Sequence, residues 1–434
     1  MRVLVVGQGG REHAICWKLR QSPLVKEIYA APGNAGIAQV ADCVPIGVAD
    51  IIELADFADK LKIDLTIVGP ELPLTLGIVD EFQKRGLAIF GPTRLAAELE
   101  GSKVFSKEFM RKYNIPTAEA TACNSTDEAR DALKKTKYPA VLKIDGLASG
   151  KGVVIVNSRE EAENYLALVF DEKKFGNAAT RILVEEFLTG EEVSFLAITD
   201  GKKCLPLAPA KDYKKAFDGD TGPNTGGMGS HSPAVVLSGE TAAEVMKTII
   251  LPTINGMAEE GRPYTGVLYA GLMLTPNGPK CLEYNCRFGD PETQVQLMRL
   301  EDDLADICLK VAHGNLGDTK LSWKKEAAAC IVLAVDGYPD EFMKGQEVAI
   351  DPIDDDSVVV FHAGIVNKGP MMINVAGRVA NVCARAATLT EALQHAYAAV
   401  PKVRFQGARY RTDIGLRALH QKRMDSGFYP TFNG

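Results

Sequence analysis

The chain has 434 residues, 46% of them hydrophobic and 24% charged, with a net charge of −7, so it holds roughly three or four folding units and, lacking a basic block, is not expected to take nucleic acid as a partner. No apolar run reaches the roughly 20 residues of a membrane helix, so no membrane contact is expected, and the amino terminus enters directly into a short strand and a glycine loop. Nine cysteines, at 16, 43, 123, 204, 281, 286, 308, 330 and 383, show no C-x-x-C and no histidine partners at zinc spacing, which predicts buried thiols in an unprocessed, cytoplasmic chain.

Val3 to Val6, Ile28 to Ala30, Leu65 to Val68 and Ala88 to Phe90 are short apolar runs separated by amphipathic stretches, the pattern of an open parallel α/β sheet over residues 1–101. Ligands of such sheets sit beyond the carboxyl ends of the strands, where the loops here are Gly9-Gly10-Arg11, Pro32-Gly33-Asn34, Gly69-Pro70-Glu71 and Gly91-Pro92-Thr93. The first of them, in Gly7-Gln8-Gly9-Gly10-Arg11-Glu12-His13, runs from a strand into a helix and offers free backbone N–H groups to an anion. A dinucleotide is disfavoured, because the second strand ends Tyr29-Ala30-Ala31-Pro32 without the acid that meets ribose hydroxyls. A mononucleotide or sugar phosphate is the better match.

From Arg94 to Tyr113 a helical pattern carries Lys103, and Pro116 ends it. A small α+β module follows over 122–189, with S-x-x-E capping boxes at Ser125 to Glu128 and Ser158 to Glu161 and strands near Val141, Val153 and Ile182. Its strand AVLKIDGLASGKG presents Lys143 before a loop containing Ser149, Gly150, Lys151 and Gly152, a point charge beside a glycine loop able to fold over phosphates. It is not a Walker A loop, since Gly152 replaces the hydroxyl after Lys151. In RILVEEFLTGEE an apolar strand runs into Glu185 and Glu186, where Phe187 and Leu188 can wall a base with Glu192 near a ribose, although by itself the segment reads better as a solvated acidic turn.

Residues 102–121 and 190–326 are expected to form a larger central unit. Lys211 to Pro233 reads KDYKKAFDGDTGPNTGGMGSHSP, which predicts a long substrate loop with little periodicity. Near the end of this unit CLEYNCRFGDPETQ places Glu283 and Asn285 two apart on a strand, aimed at one face. A carboxylate and an amide carbonyl converging there suit a hard cation such as Mg²⁺ sharing substrate phosphates, and Arg287, Asp290, Pro291 and Glu292 follow closely. From 327 to 434 strand and turn patterns return, as in Ala329 to Val335 and Val358 to Phe361.

In order along the chain, GQGGREHA, APGN, GPELPL, KIDGLASGKGV, VEEFLTGEE, DGDTGPNTGGMG and RFGDPETQ resemble segments of the ATP-grasp ligases, and most closely the phosphoribosylamine–glycine ligase family, through Tyr410 to Gly415. The family pattern departs at Lys211-Asp212-Tyr213-Lys214-Lys215, where Gln-Asp-His-Lys-Arg is usual, and at Ile144 and Ser149, where alanine is usual. No later pathway domain is expected after Gly434. The resemblance implies an ATP-grasp fold with an amino-terminal open parallel sheet, a lid module and a β-rich carboxyl-terminal unit. It also implies a monomer or weak homodimer that joins glycine to 5-phosphoribosylamine with ATP as co-substrate and Mg²⁺ or Mn²⁺ as metal.

The resemblance assigns the ATP phosphates to Lys103 and Lys143 with the Gly150-Lys151-Gly152 loop, adenine to Glu185, Glu186, Phe187 and Leu188, ribose to Glu192, and metal to Glu283 and Asn285. It gives charge stabilisation at the acyl centre to Arg287 and the glycine amine to Asp212, with Lys214 beside it. The phosphoribosyl group falls to Gly9, Gly10, Arg11 and Glu12, with Gly33, Asn34 and Glu71 near the sugar and Asp290, Pro291 and Glu292 among the substrate contacts. A labile acyl phosphate needs a dry site, so the 122–189 module is expected to close as a lid.

Overall fold

Strands β1 (Arg2–Gly7), β2 (Glu27–Pro32), β3 (Asp42–Cys43), β4 (Leu65–Val68) and β5 (Ile89–Phe90) form a parallel sheet in the order β3-β2-β1-β4-β5. The apolar runs of the central strands have a physical reason: β4 is buried at all four residues and β1 from Val3 onward, because helices cover both faces of a parallel sheet. Helix α1 (Gly10–Leu19) follows β1 at the carboxyl edge of this sheet. The computed structural model describes residues 1–146, 152–172, 181–234 and 236–419.

The single helical pattern expected from Arg94 to Tyr113 is instead two helices, α2 (Glu98–Gly101) and α3 (Lys103–Lys112). Ser102 divides them: its backbone is extended and its Oγ accepts the Phe105 N–H at 3.1 Å, the capping bond that competes with continued helix. Lys103 therefore opens a helix. Lys107, one turn later, lies on the same face.

Strands β6 (Ala120–Cys123), β7 (Ala140–Ile144), β8 (Val153–Val156) and β9 (Ile182–Glu186) pair in the order β6-β9-β7-β8, with α4 (Thr126–Leu133) and α5 (Arg159–Leu166) alongside. Each expected capping box forms by half. Ser125 and Ser158 accept the N–H of Glu128 and Glu161, but those glutamates reach past the serines to the N–H groups of Asn124 and Asn157, at 2.7 and 2.8 Å.

The central sheet is antiparallel, in the order β11-β10-β16-β17, from β10 (Glu191–Thr199), β11 (Cys204–Pro206), β16 (Gly266–Thr275) and β17 (Gly278–Asn285). The long loop expected between Lys211 and Pro233 is not a loop: it holds β12 (Lys211–Asp212), β13 (Lys215–Phe217), β14 (Thr221–Asn224) and β15 (Gly229–Ser232). While β13 and β14 form a hairpin, β12 and β15 join β18 (Ala327–Val335), β19 (Val358–His362) and β20 (Arg378–Ala386) in a sheet ordered β12-β15-β18-β20-β19. Strand pairing thus crosses the division expected at residue 326. The backbone partners of these short strands lie in distant sequence, where local periodicity carries no signal. Helix α6 (Glu292–Arg299), buried at every residue, packs against β15 and β18.

Among the described residues no helix is long and apolar enough to cross a membrane. Seven of the nine thiols are buried, while Cys43 is exposed and Cys204 intermediate, so the expectation of buried thiols fails at those two.

Candidate active site

Lys143 in β7 and Glu185 in β9 are neighbours because their strands pair in register, Lys143 opposite Leu183 and Val141 opposite Glu185. Lys143 Nζ lies 2.9 Å from Glu185 Oε2 and donates to the Leu282 carbonyl at 3.2 Å. Leu282 is the extra residue of a β-bulge in β17, where Gly271 faces Glu283 and Leu272 faces Cys281. Burial would depress the Lys143 ammonium, but Glu185 and Glu283 outweigh it and raise its pKa. Lys103 donates to the Gly146 carbonyl at 2.8 Å; burial, and secondarily repulsion by Lys143, lowers its pKa against the pull of Glu283.

Glu283 and Asn285 do share one face of β17. Burial favours a neutral Glu283, yet Lys214, Lys143, Lys103 and Arg287 together hold its carboxyl below the usual range, so it stays ionised in the middle of four cations. Asn285 Oδ1 accepts Arg287 Nη2–H at 3.1 Å. Arg287 is also paired with Glu71 at 3.3 Å and with Glu100 at 3.4 Å; burial works against its charge, and Glu100 and Glu71 more than restore it. Glu100, on α2, accepts the Cys286 N–H at 2.7 Å, and burial, helped by Glu71, raises its pKa.

Beside Glu283 stands Lys214, 3.7 Å from its carboxylate and 2.5 Å from Glu192 Oε1. Burial would neutralise this lysine, but Glu192 foremost, with Glu283 and Asp212, raises its pKa well above normal. Asp212 behaves oppositely: burial and the nearby Glu292 raise its carboxyl well above the usual range, and its covered Oδ1 has no hydrogen-bond partner among the described residues. Glu292 Oε1 accepts from Ser194 Oγ and the Tyr269 hydroxyl at 2.8 and 2.6 Å. Asp290 is clamped by Arg378 at 2.9 Å and by the Gln294 amide at 2.6 Å; burial raises its pKa less than Arg378 and Arg11 lower it. The Pro291 carbonyl accepts Ser230 Oγ at 2.7 Å.

At the amino-terminal turn, Glu12 Oε2 accepts the Gly9 N–H at 2.5 Å and Oε1 accepts Arg11 Nε–H at 2.6 Å. The glycines of the motif make room for that carboxylate. A Cβ on Gly7 would lie 2.4 Å from Glu12 Cγ, one on Gly9 2.8 Å from Oε2 and one on Gly69 2.0 Å from Oε1. Arg11 also donates to the Phe288 carbonyl at 2.9 Å, tying this turn to the segment after β17. A Cβ on Gly10 would meet Asn381 Nδ2 at 1.8 Å. Gly33 has φ +72, and Asn34 donates to the carbonyls of Gln8 and His362 at 2.8 and 2.9 Å, so its side chain stitches this turn to β19.

The structure thus gathers Lys103, Lys143, Glu185, Glu192, Lys214, Glu283, Asn285, Arg287 and Glu71 in one charged cluster, and Gly9, Gly10, Arg11 and Glu12 in a second group, where a Cβ on Gly9 would lie 3.7 Å from Asp290 Oδ2. Gly152 hydrogen-bonds Ile144 through its carbonyl at 2.8 Å, and Gly150, Lys151 and Ser149 lie outside the described residues. Glu186, the last residue of β9, pairs with Lys280 at 3.2 Å; beyond it Phe187 is exposed and Leu188 partly buried. Sequence reading missed Lys107, Glu100 and Arg378. Lys107 had a signal, its i,i+4 spacing from Lys103; Arg378, 88 residues from Asp290, had none.

Comparison with known proteins follows the same geography. Three models, the N domain, ATP-grasp (A) domain and C domain of phosphoribosylglycinamide synthetase, match residues 1–100, 101–293 and 328–417. The chain belongs to the phosphoribosylglycinamide synthetase family. The phosphoribosylamine–glycine ligase of Pasteurella multocida is 46% identical over 426 residues, covering 98% of this chain and 99% of that protein. A crystal structure of phosphoribosylamine–glycine ligase from Thermotoga maritima superposes with a TM-score of 0.83 at 34% identity, covering 95% of this chain and all of that one. A biotin carboxylase from Campylobacter jejuni gives a TM-score of 0.75 at 15% identity, over 99% of this chain and 97% of that one, which shows a shared fold alone. The multidomain α/β ATP-grasp architecture expected from sequence is the architecture of this phosphoribosylglycinamide synthetase family member.

Proposed function

We propose that this chain is an ATP-dependent ligase of purine biosynthesis that joins glycine to 5-phosphoribosylamine, giving glycinamide ribonucleotide, ADP and phosphate. The observation that carries this reading is full-length identity of 46% to a ligase of that name, and the site supports it: Lys103, Lys143, Lys214 and Arg287 all surround the ionised Glu283. A glycine carboxylate oxygen attacks the γ-phosphorus as the bond to the bridging oxygen breaks and ADP leaves. The amine of phosphoribosylamine then attacks the carbonyl of glycyl phosphate, and phosphate departs with that oxygen. Alignment and charge neutralisation suffice for both steps.

Lys103 and Lys143 would hold the triphosphate. Glu185, whose buried Oε1 lacks a partner among the described residues, would accept from the adenine amino group, with Glu186, Phe187 and Leu188 framing the base and Glu192 the ribose. Asp212 has a covered, unpartnered Oδ1, which fits the ammonium of glycine, a donor that would restore its carboxylate. Arg287 would neutralise charge at the acyl centre, while Gly9, Gly10 and Arg11 would receive the phosphoribosyl phosphate near Gly33, Asn34 and Glu71. Glu283 and Asn285 fit a divalent cation, Mg²⁺ or Mn²⁺, and the four cations around Glu283 mean that it would bind together with the polyphosphate. Such an ion supplies charge neutralisation at the phosphates. The lid of residues 122–189 would close to keep water from the acyl phosphate.

With ¹⁸O in the glycine carboxylate, one label is expected in the released phosphate. Unlabelled phosphate during full turnover would exclude the glycyl phosphate route. A different ATP-grasp carboxylate–amine ligase or carboxylase of purine metabolism is the alternative, and ADP release measured with each candidate acid and amine separates the two.

A further inference from the structure

Glu185 Oε2 is shared by two ammonium groups, Lys143 Nζ at 2.9 Å and Lys107 Nζ at 3.4 Å. All three side chains are almost fully withdrawn from solvent, at 2%, 8% and 5% exposure for Glu185, Lys143 and Lys107. Lys107 is anchored to the central unit: its Nζ donates to Thr117 Oγ1 at 2.6 Å, and that hydroxyl donates to the Cys281 carbonyl at 2.6 Å. Lys143 stands on β7 and, among the described residues, has only the longer bond to Leu282 as a second contact. In this buried setting the two ammonium groups repel each other, and each would leave a costly unpaired charge if Glu185 or its partner were lost.

We propose that Lys107 is a positioning residue for nucleotide binding: it keeps Glu185 paired when Lys143 turns from that carboxylate to the ATP phosphates. The inference rests on the reading of Lys143 as a phosphate ligand. Two lysines on one carboxylate leave the apo cluster with a surplus cation, and a phosphate consumes that surplus, giving one pair per lysine. Without Lys107 the surplus is gone. Lys143 then has to strand Glu185 in order to reach a phosphate.

Titration calorimetry on the full chain with MgATP and with adenosine separates the possibilities. Lys107→Met is expected to weaken MgATP about tenfold while adenosine, which has no phosphate, stays within about twofold. Lys107→Gln, a milder change should the first variant fold poorly, is expected to shift the same ratio in the same direction. In a Glu185→Gln background, where no carboxylate needs a keeper, removing Lys107 is expected to change the MgATP affinity by less than about twofold. Normal MgATP binding in both Lys107 variants, equal losses for MgATP and adenosine, or an undiminished loss in the Glu185→Gln background would each overturn the proposal. Lys143→Met distinguishes the two layers: if it binds MgATP normally, the reading of Lys143 fails and the inference with it, whereas a loss there beside normal Lys107 variants defeats the inference alone.

Discussion

In the lysine cluster, Glu185 is shared by Lys143 at 2.9 Å and Lys107 at 3.4 Å, and Lys214 stands 3.7 Å from Glu283, with Lys103 acting on Glu283 through the field alone. At the amino-terminal turn Glu12 sits instead in a mould of glycine backbone, where a methyl group on Gly7, Gly9 or Gly69 would come within 2.8 Å of it. The first arrangement is held by charges that can exchange partners when an anion arrives. The second is held by shape, with hydrogen bonds already filled. A site that first activates a carboxylate with a bound polyphosphate and then offers the product to an amine uses both: adaptable charge where ligand charge changes during reaction, and fixed geometry where a nucleophile must be aligned.

The largest effect is expected at the exchangeable end. Glu283→Gln should lower kcat about 10²-fold at limiting Mg²⁺, recover part of that loss as Mg²⁺ is raised, and leave the thermal midpoint nearly unchanged. Near-normal rates at limiting Mg²⁺ would remove Glu283 from the metal site. At the moulded end no ligand concentration should compensate for lost shape. In Gly69→Ala the new Cβ would lie 2.0 Å from Glu12 Oε1 and 2.5 Å from its Cγ and Cδ, so Glu12 must move and release Gly9 and Arg11. Overpacking of this kind costs about 1–3 kcal/mol, read as a lower thermal midpoint, and the KM for phosphoribosylamine should rise while ATP affinity stays. Unchanged stability and unchanged phosphoribosylamine kinetics would show that the mould is loose.

The same division explains what could be read before the structure. Glu12 and Gly9 are three residues apart, and Glu283 and Asn285 two, so a glycine turn and a period of two were enough to single them out. Four strands of the parallel sheet were readable because each contains a short apolar run, whereas the two-residue, exposed β3 offered none. Lys107 and Glu185 meet through packing of α3 against β9, and Arg378 reaches Asp290 from a strand 88 residues away; neither contact has a local pattern. The segment from Lys211 to Pro233 misled for a related reason. Its strands are two to four residues long, too short for periodicity, and β15 is held between β12 and the distant β18.

Beneath the moulded turn, His13 and His362 provide the smallest and most specific test. Their rings are 5.5 Å apart, both are buried, and the His362 N–H donates to His13 Nδ1 at 2.9 Å, which requires that nitrogen to be unprotonated. Burial, with a smaller contribution from His362, lowers His13 from 6.5 to about 3, and burial lowers His362 from 6.5 to about 4. Both histidines regain an ordinary pKa on unfolding, so between these values the unfolded chain binds the extra protons and stability falls as pH falls. Their contribution is complete above about pH 6.5 and is lost on descending toward pH 4, at up to about 1.4 kcal/mol per pH unit for each histidine. Urea unfolding at pH 7, 6 and 5 should show this decline, and His362→Gln, which keeps the backbone donor to His13, should reduce its slope by about the share of one histidine. An identical slope in wild type and variant would mean that His362 takes up its proton without unfolding, and that the floor of the turn yields to charge much as the lysine cluster does.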